Sequence, residues 1–104
     1  MIDSKVTVVT YTNDGFSPQE VVIKQGQVVR FVNESSSSMW VASAIHPTHS
    51  LYPAKSGGDC LGSSFDQCTI TGAGGVWEFT FTETGTHGYH NHVRSSKRGK
   101  IIVE

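Results

Sequence analysis

Polar and apolar residues alternate along most of this chain with a period of two, and nowhere with the longer period of an amphipathic helix. Val6-Thr7-Val8-Val9-Thr10-Tyr11-Thr12 is dominated by β-branched and aromatic residues and runs into the turn signal Asn13-Asp14-Gly15. It predicts a first strand, with Phe16-Ser17-Pro18 as a short extended link after it. Glu20-Val21-Val22-Ile23-Lys24 and the segment from Gln27 to Asn33 flank Gln25-Gly26, which predicts two strands joined as a hairpin-like unit. Glu34 and the serines from Ser35 to Ser38 form a polar loop, and Met39-Trp40-Val41-Ala42-Ser43 resumes strand character. The clearest alternation is Val76-Trp77-Glu78-Phe79-Thr80-Phe81-Thr82, with Trp77, Phe79 and Phe81 on one face and Glu78 and Thr80 on the other. Glu83-Thr84-Gly85 then turns into a histidine-bearing strand, and Gly99-Lys100-Ile101-Ile102-Val103 closes the chain.

From Ile45 to Gly75 the pattern breaks down, and two prolines, six glycines and both cysteines fall in that stretch. A loop of this length inside a compact domain is usually functional or cross-linked. Seven or so short strands separated by turn signals predict an all-β sandwich or barrel. The 104 residues fit one domain, 1–104, with no internal repeat and no linker.

Charge narrows the function. A formal net charge of −1 and a pI of about 6.5 supply no basic field, which excludes nucleic acid as a partner. No apolar run approaches the roughly 20 residues that cross a bilayer. Met1-Ile2-Asp3-Ser4-Lys5 does not form a signal peptide, so the expected protein is either cytoplasmic or exported with its signal already removed. Cys60 and Cys68, with seven residues between them, are expected to form a disulfide, which points to the periplasm or the extracellular space. Two free thiols would instead offer a softer metal site.

The candidate chemistry lies in Gly85-Thr86-His87-Gly88-Tyr89-His90-Asn91-His92, which holds three of the five histidines. On a strand His90 and His92 point the same way, about 7 Å apart at the backbone, a chelating arrangement. His46-Pro47-Thr48-His49 supplies a second cluster, so the candidate metal ligands are His46, His49, His90 and His92. His87 shares the face of Tyr89 and Asn91 and reads as structural or surface. Three or four neutral imidazoles without a thiolate suit tetragonal Cu(II) or tetrahedral Zn(II), and the Irving–Williams order favours copper. Arg94, Lys97, Arg98 and Lys100 form a basic run that reads as a solvated loop, with docking to an acidic protein partner as the functional alternative. Trp40, Trp77, Phe31, Phe79 and Phe81 read as core, and Tyr52 and Tyr89 as core edge. Neither a nucleophile elbow nor a carboxylate pair stands out, so hydrolysis has no support.

Taken in order, Phe16-x-Pro18, Gly26-x-x-Val29-x-Phe31-x-Asn33, Trp77-x-Phe79-x-Phe81, Gly85, Tyr89 and Gly99-x-Ile101-x-Val103 resemble a cupredoxin, most of all the amicyanin and plastocyanin type. The resemblance spans nearly the whole chain. It implies an eight-stranded Greek-key β-sandwich with a metal site between loops at one end. A blue-copper site of that type would place its first His near Met39, its Cys at Asn91, its second His at Arg94 and its Met at Lys97, and none of the four matches. Gly85-Thr86-x-x-Tyr89-His90-x-His92 is instead similar to a segment of multicopper oxidases in which both histidines ligate copper, and His46-Pro47-Thr48-His49 is loosely similar to another. The expected protein is therefore a small copper-binding domain with a histidine-rich, type 2-like site, serving copper binding, sequestration or transfer. Met39 is its possible axial ligand, with a buried packing role as the favoured alternative. A small copper redox enzyme and a metal-free interaction module are the alternatives. One difficulty stands: position 91 faces the usual cupredoxin site, so ideal strand geometry sends His90 and His92 to the other side. Either the metal has moved or the strand bends.

Overall fold

The structure, a computed structural model, describes residues 6–44 and 65–104. Its elements are β1 (Val6–Thr12), β2 (Gly15–Ser17), β3 (Glu20–Ile23), β4 (Val28–Asn33), β5 (Val41–Ser43), β6 (Val76–Thr80), β7 (Gly85–Asn91) and β8 (Arg94–Val103). No helix occurs among the described residues. The strands form two four-stranded sheets, β2-β1-β4-β6 and β3-β8-β7-β5. Each sheet mixes directions: β1 runs parallel to β4 and β3 parallel to β8, and the other neighbours are antiparallel. This is the all-β sandwich that the alternation predicts.

The core is the space between the sheets, filled by the inward half of each alternating strand. Val9 and Tyr11 of β1, Val29 and Phe31 of β4, and Ile101 and Val103 of β8 are buried, while their neighbours along each strand are more exposed. Phe65 sits among the aromatic rings, with centroids 4.8 Å from Phe81, 5.1 Å from Phe79 and 5.9 Å from Tyr89. Phe31 stacks on Trp77 at 5.7 Å. The stripe Trp77, Phe79 and Phe81 lines one face, as its spacing predicts. Fully burying a side chain of this size contributes roughly 1.5–3 kcal/mol.

Four expectations need correction. β3 and β4 do not form a hairpin: β3 pairs with β8 in one sheet and β4 with β1 and β6 in the other. Gln25 and Gly26 instead turn a corner between sheets, with Gly26 at φ 89° donating its N–H to the Phe81 carbonyl at 2.7 Å. A two-residue turn with positive φ suits a corner as well as a hairpin, and strands facing one core from opposite sheets alternate alike. Gly15–Ser17 is an edge strand paired with β1 rather than a link. The basic run is not a loop, because Arg94 to Lys100 continue β8, with Arg98 paired to His90. Cations on the outward positions of a strand carry no signal that separates it from a loop. Tyr89 belongs to the core and not its edge: it is 2% exposed, with Phe16 edge-on at 4.8 Å.

The end of the sandwich that carries the candidate residues is held by Asn33, the buried last residue of β4. Its Nδ2 donates to the carbonyls of Ser37 (2.8 Å) and Thr71 (2.9 Å), and its Oδ1 accepts from the Ser35 N–H (3.0 Å) and hydroxyl (2.6 Å). One amide thus folds the serine loop back and brings Thr71 alongside it. The Met39 N–H and C=O then exchange hydrogen bonds with Thr71 at 2.9 and 2.8 Å.

Candidate metal centre

β7 pairs with β5 in the register Val41 to Asn91, Ala42 to His90 and Ser43 to Tyr89. Tyr89 packs against Phe16, Phe31 and Phe65, so it and Asn91 face the core and alternation gives His90 the other side. A β-bulge between His90 and Asn91 bends the strand at its end, and residues 92–93 turn into β8. The two rings end with centroids 6.1 Å apart and planes inclined by 54°. His90 is buried at 3% exposure, and His92 is half-buried.

Asn91 ties this corner together from the inside. Its fully buried Oδ1 accepts from the backbone N–H groups of Trp40 (2.9 Å) and Val93 (3.1 Å), and its Nδ2 donates to the Ser38 carbonyl at 3.2 Å. The place where the resemblance puts a copper-binding thiolate is therefore occupied by a hydrogen-bonded amide. The His92 N–H donates to the Trp40 carbonyl at 2.7 Å, so residues 40 and 92 are fixed to each other by their main chains. Their side chains meet as well, with the indole and imidazole centroids 4.5 Å apart. The Trp40 Nε1–H donates to Asp66 Oδ1 at 2.7 Å, and that oxygen also accepts the Cys68 N–H at 2.9 Å.

The candidate residues separate as follows. His90 and His92 are brought together. Met39 is fully buried in the core cluster, and it is its neighbour Trp40 that meets His92. His87 is buried, donates its Nε2–H to the Glu83 carbonyl at 2.7 Å and lies parallel to Phe81, a packed position and not a surface one. His46, His49, Tyr52 and Cys60 lie outside the described residues. Among the described residues there is no free cysteine. The apolar setting of Trp40 reads as core, and Asp66 carries one local signal, an Asp two residues before Cys68, the spacing of an Asx turn.

Among the described residues no group of three or more His, Cys, Asp or Glu side chains is placed to hold a metal ion. Imidazoles bound tetrahedrally to one ion at about 2.0–2.1 Å have centroids roughly 5 Å apart, about 1 Å closer than the His90 and His92 rings stand.

No family profile and no curated relative matches the chain. Solved structures do. A novel purple cupredoxin from Nitrosopumilus maritimus is 17% identical, with 94% of this chain and 99% of that one covered and a TM-score of 0.74. A proline-to-glycine variant of amicyanin, solved in its reduced Cu(I) form at pH 4, is 20% identical over 99% of this chain and 86% of its own, with a TM-score of 0.72. A proline-to-phenylalanine amicyanin variant in the reduced state is 23% identical over 95% and 82%, with a TM-score of 0.71. At these identities the likeness is one of architecture, and with eight strands in two sheets and no helix among the described residues, the chain has the cupredoxin fold.

Proposed function

We propose that this domain binds copper through a histidine-rich, thiolate-free site built on His90 and His92, for copper binding, sequestration or transfer. The observation that carries the reading is the imidazole pair at 6.1 Å, next to a core-facing position that holds Asn91 instead of a cysteine. His46 and His49 are the candidates for the remaining ligands. Neutral nitrogen donors without sulfur favour a type 2-like copper, with zinc as the competing ion. Bound copper would supply a redox-active cation; the chain's own contribution is to hold the imidazoles and to fix their turn through Asn91. A Cys60–Cys68 disulfide and a periplasmic or extracellular setting complete this reading, because Cys68 is not a free thiol. Arg94, Arg98 and Lys100 are exposed along β8 and offer a docking strip for an acidic protein partner.

The test is competitive titration with Cu(II) and Zn(II). One tightly bound copper per chain, with affinity lost in both His90→Ala and His92→Ala, supports the reading. Weak binding that survives both substitutions favours a second reading, a metal-free interaction module. The closed hydrogen-bond set of Asn91, which needs no metal to satisfy it, supports that alternative.

A further inference from the structure

The geometry points to a docking groove for an acidic side chain of a partner protein on the outer face of the sheet β3-β8-β7-β5, seated over Gly88 and walled by Arg98 and Lys100. This rests on the acidic-partner reading of the β8 strip above, not on copper, and names the place and the chemistry of the contact. His87 and Tyr89 are buried, so Gly88 between them presents bare backbone to the outside of the sheet. It stands opposite Lys100, with Glu20 next in the row and Arg98 two residues along β8 on the same face. Together with Gln19 and Thr86 these residues line a groove of about 610 Å³. Nothing among the described residues demands glycine there. Gly88 has no positive φ, and a Cβ built on it would meet only the Ala44 Cβ at 3.6 Å, an ordinary contact, whereas one on Gly99 would collide with the Tyr89 ring and the Gln19 carbonyl. A glycine inside a strand weakens it, and where neither backbone nor packing requires it, the missing side chain marks a close approach from outside.

The cations around this floor have capacity left. Arg98 commits its Nε–H to the Ser95 carbonyl at 3.1 Å, and among the described residues its two terminal amino groups have no partner. Lys100 Nζ stands 3.7 Å from Glu20 Oε2 with both side chains more than half exposed, a loose pair that a second carboxylate can share. Arg94, Lys97, Arg98 and Lys100 are half of the eight Lys and Arg residues in a chain of net charge −1, so this strand carries a local positive field. A guanidinium fork pairs with a carboxylate through parallel N–H bonds, which selects Asp or Glu over a neutral side chain. Arg98, Lys100, Glu20 and Thr86 are all exposed, and such walls do not enclose a small molecule over most of its surface. The occupant is therefore a side chain delivered by a partner that covers the rim itself.

The test titrates the isotope-labelled full chain with a glutamate-rich peptide and with its glutamine counterpart, following amide shifts at low and at physiological salt, for wild type, Gly88→Val and Arg98→Gln. Wild type should bind the glutamate peptide with shifts centred on Thr86, Gly88 and Lys100, lose affinity as salt rises, and ignore the glutamine peptide. Gly88→Val fills the groove with a residue that strands favour, and Arg98→Gln removes the fork while leaving the groove open; each should weaken the glutamate peptide about tenfold, with Gly88→Val melting no lower than wild type. Unchanged binding in a folded Gly88→Val, with Arg98→Gln weakened, overturns the groove and leaves the acidic docking strip standing. If Gly88→Val does not fold, wild-type shifts that leave Thr86 and Gly88 unmoved overturn the groove in the same way. Free glutarate binding as tightly as the peptide assigns the groove to a small anion and also overturns the inference. Wild type that binds neither peptide, or both alike, overturns the inference and the acidic-partner reading together.

Discussion

Tyr89→Phe should stabilise this protein. The Tyr89 hydroxyl is buried and has no hydrogen-bond partner among the described residues. It lies against Gly99, its partner across β7 and β8: a Cβ built there would meet Tyr89 Cζ at 2.6 Å and the Gln19 carbonyl at 2.8 Å. A buried hydroxyl without a partner costs about 1–3 kcal/mol. Phenylalanine removes that cost and keeps the ring contacts to Phe16 at 4.8 Å and Phe31 at 5.3 Å. After allowing for the small void left by one oxygen, the expected gain at neutral pH is about 1 kcal/mol, which in a domain of this size raises Tm by roughly 4–8 °C. Burial also pushes the Tyr89 phenol well above its ordinary pKa of 10.0. The native state thus keeps its proton where the unfolded state has lost it, and this contribution to stability is full below about pH 10 and lost as pH rises beyond it. The gap between variant and wild type should therefore widen above pH 10 by up to about 1.4 kcal/mol per pH unit. Urea denaturation of both proteins at pH 7 and across the alkaline range reads both quantities. A variant less stable than wild type at pH 7, or a gap that stays constant through the alkaline range, refutes the reasoning.

Gly99→Ala should cost about 1–3 kcal/mol by overpacking, and Tyr89→Phe should rescue it only in part, since the Gln19 carbonyl still crowds the new methyl group; a double-mutant cycle by urea melts measures the coupling. Asn91→Ala strips the acceptor from the main-chain N–H groups of Trp40 and Val93, with an expected loss of about 2–4 kcal/mol in chemical denaturation. Gly26→Ala meets no steric obstacle, so its cost of about 1–2 kcal/mol measures the positive φ alone. Glu78→Gln breaks the ion pair with Arg30, yet both side chains are more than 40% exposed, so the change in stability should stay within about 1 kcal/mol and shrink in high salt.

The parts of this fold that were legible in sequence are those where one face alone is buried. Trp77, Phe79 and Phe81 alternate with Glu78 and Thr80 because only their side of β6 meets the core, and β1 and β4 announce themselves by β-branched content. Pairing was not legible. Gly26 satisfies the turn chemistry of a hairpin and of a corner between sheets equally, and only the tertiary partners of Ile23 and Phe31 decide between them. The bulge that bends the strand at Asn91 left no mark in the residues, and the clamp formed by Asn91, Trp40 and Asp66 joins positions 26 to 51 residues apart. Trp40 read as core because a lone tryptophan in an apolar stretch usually is; its contact with His92 depends on the register between β5 and β7, which no local pattern encodes.

The most direct test of the central claim is electron paramagnetic resonance of the 1:1 Cu(II) adduct, recorded with its visible spectrum for wild type, His90→Ala and His92→Ala. A tightly bound copper with the wide hyperfine splitting of a tetragonal nitrogen site, no intense thiolate charge-transfer band, and loss of that signal in both variants is the predicted result. An adduct whose spectrum and affinity are the same in all three proteins would contradict it, and the domain would then be a cupredoxin fold whose histidine pair holds no metal.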